Sequence, residues 1–206
     1  MARTKSSAGW LSRHLNDPYV KQAHKDGYRA RSAYKLIELN EKDRLIRPGM
    51  RIMDLGSAPG GWSQVAGKLV GERGRVLATD ILPMDALVNV DFIQGDFTED
   101  GIVQQVENWL GGAKFDLIIS DIAPNTTGID SADAAKSIYL LELALEIARK
   151  TLKAHANLAA KMFQGSGSDE FLKELRTAFE KVNIRKPAAS RKESREVYVV
   201  AKGFKG

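Results

Sequence analysis

Cysteine is absent from all 206 residues. That excludes disulfide frameworks, thiolate zinc sites and thiol catalysis. Histidine is scarce, and His14, His24 and His155 are too scattered to give metal-ligand spacing, so no metal is expected. No apolar run approaches a membrane span. The opening "MARTKSSAGW" is basic but has no apolar core, so it does not read as a secretory signal. Repeats and low-complexity segments are also lacking. What remains is 43% hydrophobic and 28% charged, long enough to bury a real core in one domain, and a cytoplasmic protein is expected.

Charge is unevenly spread. Residues 1–50 hold 11 Lys/Arg against 5 Asp/Glu, residues 51–180 hold 12 against 19, and residues 181–206 hold 8 against 2. Both ends are basic around an acidic middle. Basic blocks attract polyanions, and phosphate contacts dominate nucleic-acid affinity. Solvated tails read the same way from charge alone. Aromatics among the early charges (Trp10, Tyr19, Tyr28, Tyr34) add to the RNA reading, because bases stack on such rings.

Residues 1–15 read as a loose basic arm and 16–206 as a single domain. Helices are predicted at 17–25 and 30–42, with Ala33, Leu36, Ile37 and, less well, Asn40 near one face of the second. From the "RPGM" turn onward, strand-like and helix-like runs alternate. Strands are predicted at 51–55, 75–79, 91–94, 115–120, 157–163, 181–186 and 196–202, and helices at 61–70, 99–110, 132–153 and 168–180. Ser168 reads as the cap of the last helix. This pattern is an α/β fold with a mostly parallel sheet covered on both faces. The last two strands leave no room for a helix between them and should pair antiparallel at or near an edge. Ligands of such sheets sit beyond the carboxyl ends of the strands. Asp54, Asp80, Asp96, Asp121 and Lys161 all lie at or near those ends.

The loop "DLGSAPGGW" resembles a dinucleotide fingerprint but departs from it. Ala58 stands where the middle glycine belongs, and Pro59 lacks an N–H where a pyrophosphate needs a donor. Gly56, Gly60 and Gly61 still allow close backbone approach. The loop suits a nucleoside without phosphates, such as S-adenosylmethionine (SAM). Asp80, about twenty residues on, is placed to accept the hydroxyls of an unphosphorylated ribose. Asp96 could accept from an adenine amino group. Each acid alone could equally be a cap or loop residue. An NAD-dependent dehydrogenase is disfavoured by Ala58-Pro59.

Six segments in order, "DLGSAPGGWSQV", "ILPMD", "NVDFIQGDF", "SDIAPNTTG", "KMFQG" and "SREVYVVAKG", resemble the RrmJ/FtsJ family of SAM-dependent ribose 2′-O-methyltransferases. The resemblance covers nearly all of the chain beyond the basic arm. It implies a Rossmann-like methyltransferase fold of seven strands with an antiparallel last strand. It also implies a uridine of large-subunit (23S) ribosomal RNA as substrate and SAM as cofactor; methyl transfer from a sulfonium requires no metal, and with no sign of an oligomer interface a monomer is the default expectation. Transfer RNA or cap RNA is the alternative substrate within the class, and a non-catalytic ribosome-assembly factor is the alternative outside it. One departure is visible: "LKAHANLAAKMF" stands where the family often has a Gly-Gly turn before its fifth strand.

The family's catalytic Lys-Asp-Lys-Glu set corresponds to Lys35, Asp121, Lys161 and Glu196. The chemistry asks for such a set. A ribose 2′-hydroxyl is a weak acid, so transfer needs collinear alignment and help in removing one proton. A lysine serves as base where desolvation or a second cation favours its neutral form. Lys161 ends the apolar run "NLAAKMF", and Lys35 would supply the cation. The residues alone do not choose between the two lysines; the resemblance implies Lys161. Asp121 and Glu196 would orient them, with Asp121 also near the cofactor. Trp62 either packs the helix start or, as the resemblance implies, lies beside the cofactor. Trp109 reads as core. Tyr198 either faces the target nucleotide or packs, and "APNTTG" (123–128) is either a substrate-side loop or only turn chemistry.

Overall fold

The computed structural model describes residues 17–124, 130–191 and 193–206. The basic arm at 1–15 and the 125–128 part of the "APNTTG" loop lie outside the described residues. Two helices come first, α1 (Pro18–Asp26) and α2 (Ala33–Asp43). Then follow β1 (Arg51–Leu55), α3 (Gly61–Val70), β2 (Arg75–Asp80), β3 (Val90–Gln94), α4 (Asp100–Leu110) and β4 (Phe115–Ser120). The remainder is α5 (Asp130–Thr151), β5 (Leu152–Phe163), α6 (Ser168–Ala178), β6 (Phe179–Arg185) and β7 (Glu196–Phe204).

The strands form one seven-stranded sheet in the order β3-β2-β1-β4-β5-β7-β6. β1 to β5 run parallel, and β7 is antiparallel to both β5 and β6. The expected hairpin at an edge is therefore present, with β6 outermost and β7 inserted beside β5.

Alternation along the strands sorts side chains between two cores. Leu158, Ala160, Met162, Val197 and Val199 join the face covered by α4, α5 and α6. Ala159, Tyr198, Val200, Leu117 and Ile119 join the other face with Leu36, Leu39 and Trp62 from α2 and α3. Lys161, Glu196 and Tyr198 share the parity of this second face, which carries them toward Lys35 on α2. Trp109 packs partly buried against the first core, its ring stacked on Phe115 at 5.7 Å and its Nε1 donating to Asp91 at 2.8 Å.

Four local expectations need correction. Helix α2 begins at Ala33 rather than 30, because the backbone at 30–32 makes i+3 turns (Ala33 N to Ala30 O, 3.1 Å; Lys35 N to Ser32 O, 3.0 Å). Its buried face is Ala33, Lys35, Leu36, Leu39 and Asp43; Asn40 is only half-buried and accepts from Ile46 N at 2.8 Å. Ser168 does not cap α6. Gly167 occupies that position, and the Ser168 hydroxyl closes the preceding turn on Gly165, accepting from its N–H at 2.8 Å and donating to its carbonyl at 2.6 Å. Strand β5 begins at Leu152 rather than 157. Its register shifts between Phe115↔Leu152 and Leu117↔Asn157, with His155 at φ 63, so the strand starts earlier through an irregularity.

Helix α2 is tied to the far edge by a buried carboxylate. Asp43 accepts from Arg185 at 2.7 and 3.0 Å, and the Lys202 ammonium lies 3.4 Å away. Burial alone would push the Asp43 carboxyl up, but Arg185 and Lys202 together hold it below its usual value. Asp43→Ala is expected to destabilise the protein by about 2 kcal/mol, lowering Tm by roughly 4–8 °C in a thermal melt.

Candidate active site

The loop after β1 turns back on the sheet through its own backbone. Gly56 N and Ser57 N donate to Thr79 O at 2.9 and 3.1 Å, and Ala58 N donates to Asp80 Oδ2 at 2.8 Å. Gly56 sits at φ 69, where an added Cβ would lie 2.7 Å from Ile122. Gly60, at φ 105, is the N-cap of α3. Both conformations strongly favour glycine.

Beyond the strand ends opens a cleft of about 610 Å³. Gly56, Asp80, Asp96 and Asp121 line it, so the structure gathers these four. Each Asp80 oxygen accepts one backbone N–H, from Ala58 and from Leu82, both at 2.8 Å, and each keeps a free lone pair. Asp96 Oδ1 accepts from Thr98 N at 2.9 Å and Thr98 Oγ1 at 2.7 Å. Pro59, Gly61 and Trp62 instead border a smaller adjoining cavity of about 40 Å³, with Asp54, Ser57 and Asp121. Gly60 lines neither; a Cβ there would press on Met84 Sδ and Arg29 Nη1.

Sequence reasoning missed the apolar walls. Ile81, Leu82 and Tyr139 line the cleft yet are 64%, 60% and 59% exposed. Two large apolar residues directly after a strand-ending acid were the available signal. Arg29 also gains a role: it donates to Asp85 O at 2.8 Å and Ala86 O at 2.9 Å, bracing the 81–89 loop near the glycines.

Lys35, Asp121, Lys161 and Glu196 come together. The Lys161 ammonium donates to Asp121 O at 2.6 Å and Oδ1 at 3.0 Å. Lys35 lies 2.8 Å from Glu196 Oε1 and 3.8 Å from Asp121 Oδ1. Both lysines are buried, and both ammonium groups are engaged by carboxylates. Tyr198 joins them. It is fully buried, its hydroxyl donates to Asp121 Oδ1 at 2.6 Å, and its ring lies 5.6 Å from Trp62 and 5.5 Å from the Lys35 ammonium. Burial first, then the charge of Asp121, raises the Tyr198 hydroxyl well above its usual value, so it stays a neutral donor. Trp62 Nε1 donates to Ser32 O at 2.9 Å, fixing the start of α2 to α3.

A second pocket of about 240 Å³ opens on the other side of this cluster, lined by Arg31, Ser32, Lys35, Arg191, Ser194 and Glu196. Asp121 of the cluster thus lines the acid-and-apolar cleft, Lys35 and Glu196 line the basic one, and Lys161 lines neither.

Beneath the glycine loop, Asp54 Oδ1 and the Ser57 hydroxyl are buried without partners. Asp54 Oδ2 accepts from Ser63 at 2.6 Å. Burial pushes the Asp54 carboxyl up to about 7, assisted by Asp121 and Asp80 and opposed by the Ser63 hydrogen bond.

Residues 28–204 match the family model for FtsJ-like methyltransferases. The chain is 68% identical over its full length, and over all of the relative, to ribosomal RNA large subunit methyltransferase E of Stutzerimonas stutzeri. It is 60% identical, covering all of this chain and 98% of the relative, to the protein of the same name from Cellvibrio japonicus. A crystal structure from Plasmodium falciparum, described provisionally as a ribosomal RNA methyltransferase, superposes with TM-score 0.79 at 30% identity, covering 87% of this chain and all of that one.

Proposed function

The chain belongs to the FtsJ-like methyltransferase family, and on that premise we propose that it methylates the ribose 2′-oxygen of a uridine in 23S RNA of the large ribosomal subunit, using SAM, as a cytoplasmic monomer. The observation that carries this reading is the cluster of Lys35, Asp121, Lys161, Glu196 and Tyr198, whose Asp121 lines one cleft and whose Lys35 and Glu196 line the other. The names of the relatives support the substrate class.

The residues of the larger cleft fit SAM. Asp80 would take the ribose hydroxyls with its free lone pairs, Asp96 the adenine amino group, and Ile81, Leu82 and Tyr139 the adenine faces. The unpartnered Asp54 Oδ1 and Ser57 hydroxyl mark the loop floor as a place for polar, cationic company. Gly56, Gly60, Gly61, Pro59 and Trp62 shape the loop that admits it. Bound SAM supplies a methyl on a sulfonium that leaves as a neutral thioether.

The remaining work falls to the protein. Lys161 serves as the general base for the 2′-hydroxyl proton, a contribution of typically 10²–10⁴-fold. Asp121 fixes the Lys161 amine through two oxygens and receives Tyr198 on the same carboxylate. Glu196 holds Lys35, whose charge lies beside the target ribose. The basic pocket receives the RNA backbone.

The test is transfer of labelled methyl from SAM to bulk transfer RNA, free ribosomal RNA and large subunits from cells lacking the enzyme. Alkali-resistant label in 23S RNA is the expected result. Label confined to transfer RNA would overturn the substrate, and label in no RNA would overturn the reaction.

A further inference from the structure

One turn along α2 from Lys35, Glu38 faces the connection between β6 and β7. Its carboxylate accepts from two consecutive backbone N–H groups, Ala188 at 2.6 Å and Ala189 at 2.9 Å. Arg31 donates to the Ala189 carbonyl from the same side, so both backbone groups of a buried residue are held from α2 and the turn before it. The connection then closes on itself, Ser190 N donating to Pro187 O at 2.9 Å and the Lys186 ammonium to Ser194 O at 2.6 Å. From this anchored turn the chain leads to Arg191 and Ser194, which line the basic pocket together with Lys35 and Glu196, the Ser194 hydroxyl accepting from Glu196 N at 3.1 Å.

We infer that Glu38 is a positioning residue for the RNA substrate, fixing the basic β6–β7 connection so that Arg191 and Ser194 line one pocket with Lys35. The inference rests on the proposed RNA reading. Arg31 and Arg191 converge on one carboxylate, Asp17, and Lys35 is held by Glu196, so the backbone of the connection decides where these cations stand. Glu38 supplies a negative charge and two acceptors on one rigid helix, and charge-assisted hydrogen bonds are about twice as strong as neutral ones. Without it, ordering of the connection is deferred to the moment RNA binds, which weakens binding without touching the reacting atoms.

The test compares wild type, Glu38→Ala and Glu38→Gln. KM for large subunits or 23S RNA, kcat at saturating RNA, SAM affinity by calorimetry and the rate of tryptic cleavage within 186–195 are measured for each. Glu38→Ala is expected to raise KM for RNA by about tenfold and to speed cleavage, with kcat and SAM affinity within about twofold of wild type. Glu38→Gln keeps one good acceptor and falls between. An unchanged KM, an unchanged cleavage rate, or a fall in kcat and SAM affinity as large as the rise in KM would overturn the inference. Cleavage is read without RNA, so an inactive wild type would sink the RNA reading, whereas unaltered cleavage in Glu38→Ala would sink the role of Glu38.

Discussion

Lys161→Ala is expected to slow methyl transfer by about 10²–10⁴-fold while SAM affinity stays within about twofold of wild type. Strand β5 carries Lys161 in register with Tyr198, and alanine retains every backbone bond of that pairing. Asp121 keeps Tyr198 and the Lys35 charge as company, so the cleft beside it is preserved. What disappears is the amine. Lys161→Arg separates a base from a mere positive charge: a guanidinium stays protonated at any working pH, so it retains the charge but accepts no proton. Single-turnover transfer at saturating RNA, with SAM binding by calorimetry, reads both variants. A loss below tenfold in Lys161→Ala, or substantial activity in Lys161→Arg, would remove Lys161 from the role of base.

Asp54→Asn is expected to stabilise the protein at pH 8 by roughly 4 kcal/mol relative to its effect at pH 4. Asp54 is 1% exposed, and its carboxyl is pushed from 3.8 to about 7 by burial, with Asp121 and Asp80 adding to the push. Because the folded value lies above the unfolded one, the contribution of the protonated group is fully present below pH 3.8. It drains away as pH rises through about 7. Above that the folded protein holds an ionised carboxylate out of water, and the amide removes that charge. Urea unfolding of both proteins at pH 4, 5, 6, 7 and 8 gives the difference curve. A difference that does not grow between pH 4 and pH 7 would mean that Asp54 stays ionised throughout.

Strand–loop–helix alternation and the acids at strand ends were legible because each is written in a few neighbouring residues. The bounds of β1, α3 and β4 match the sequence expectation. What was illegible depends on partners far along the chain. Glu38 meets Ala188 across 150 residues, and Asp43 meets Arg185 across 142. Neither pairing has a local signature. Tyr198 shows why alternation alone was insufficient: period two gave its face, but only the neighbouring Trp62 and Asp121 show that it is packed and hydrogen-bonded. Ser168 failed as a cap because a glycine at φ 86 before it offered the helix a different start. The walls of the cleft were missed because exposed apolar side chains have no periodicity to betray them.

The insertion of β7 between β5 and β6 also orders events in time. The glycine loop and the acids of the larger cleft all belong to β1 through β4 and the turns that follow them. Lys161, Glu196 and Tyr198 become neighbours only when the last strand enters the sheet, and Lys35 waits on the same step. The Lys35–Glu196 pair closes across 161 residues and carries the greatest loop-closure entropy among these groups. A growing chain exposes the residues of the acid-lined cleft before the last strand that completes the lysine–carboxylate cluster, so under the proposed function a partial chain would hold a place for SAM with nothing yet able to use it.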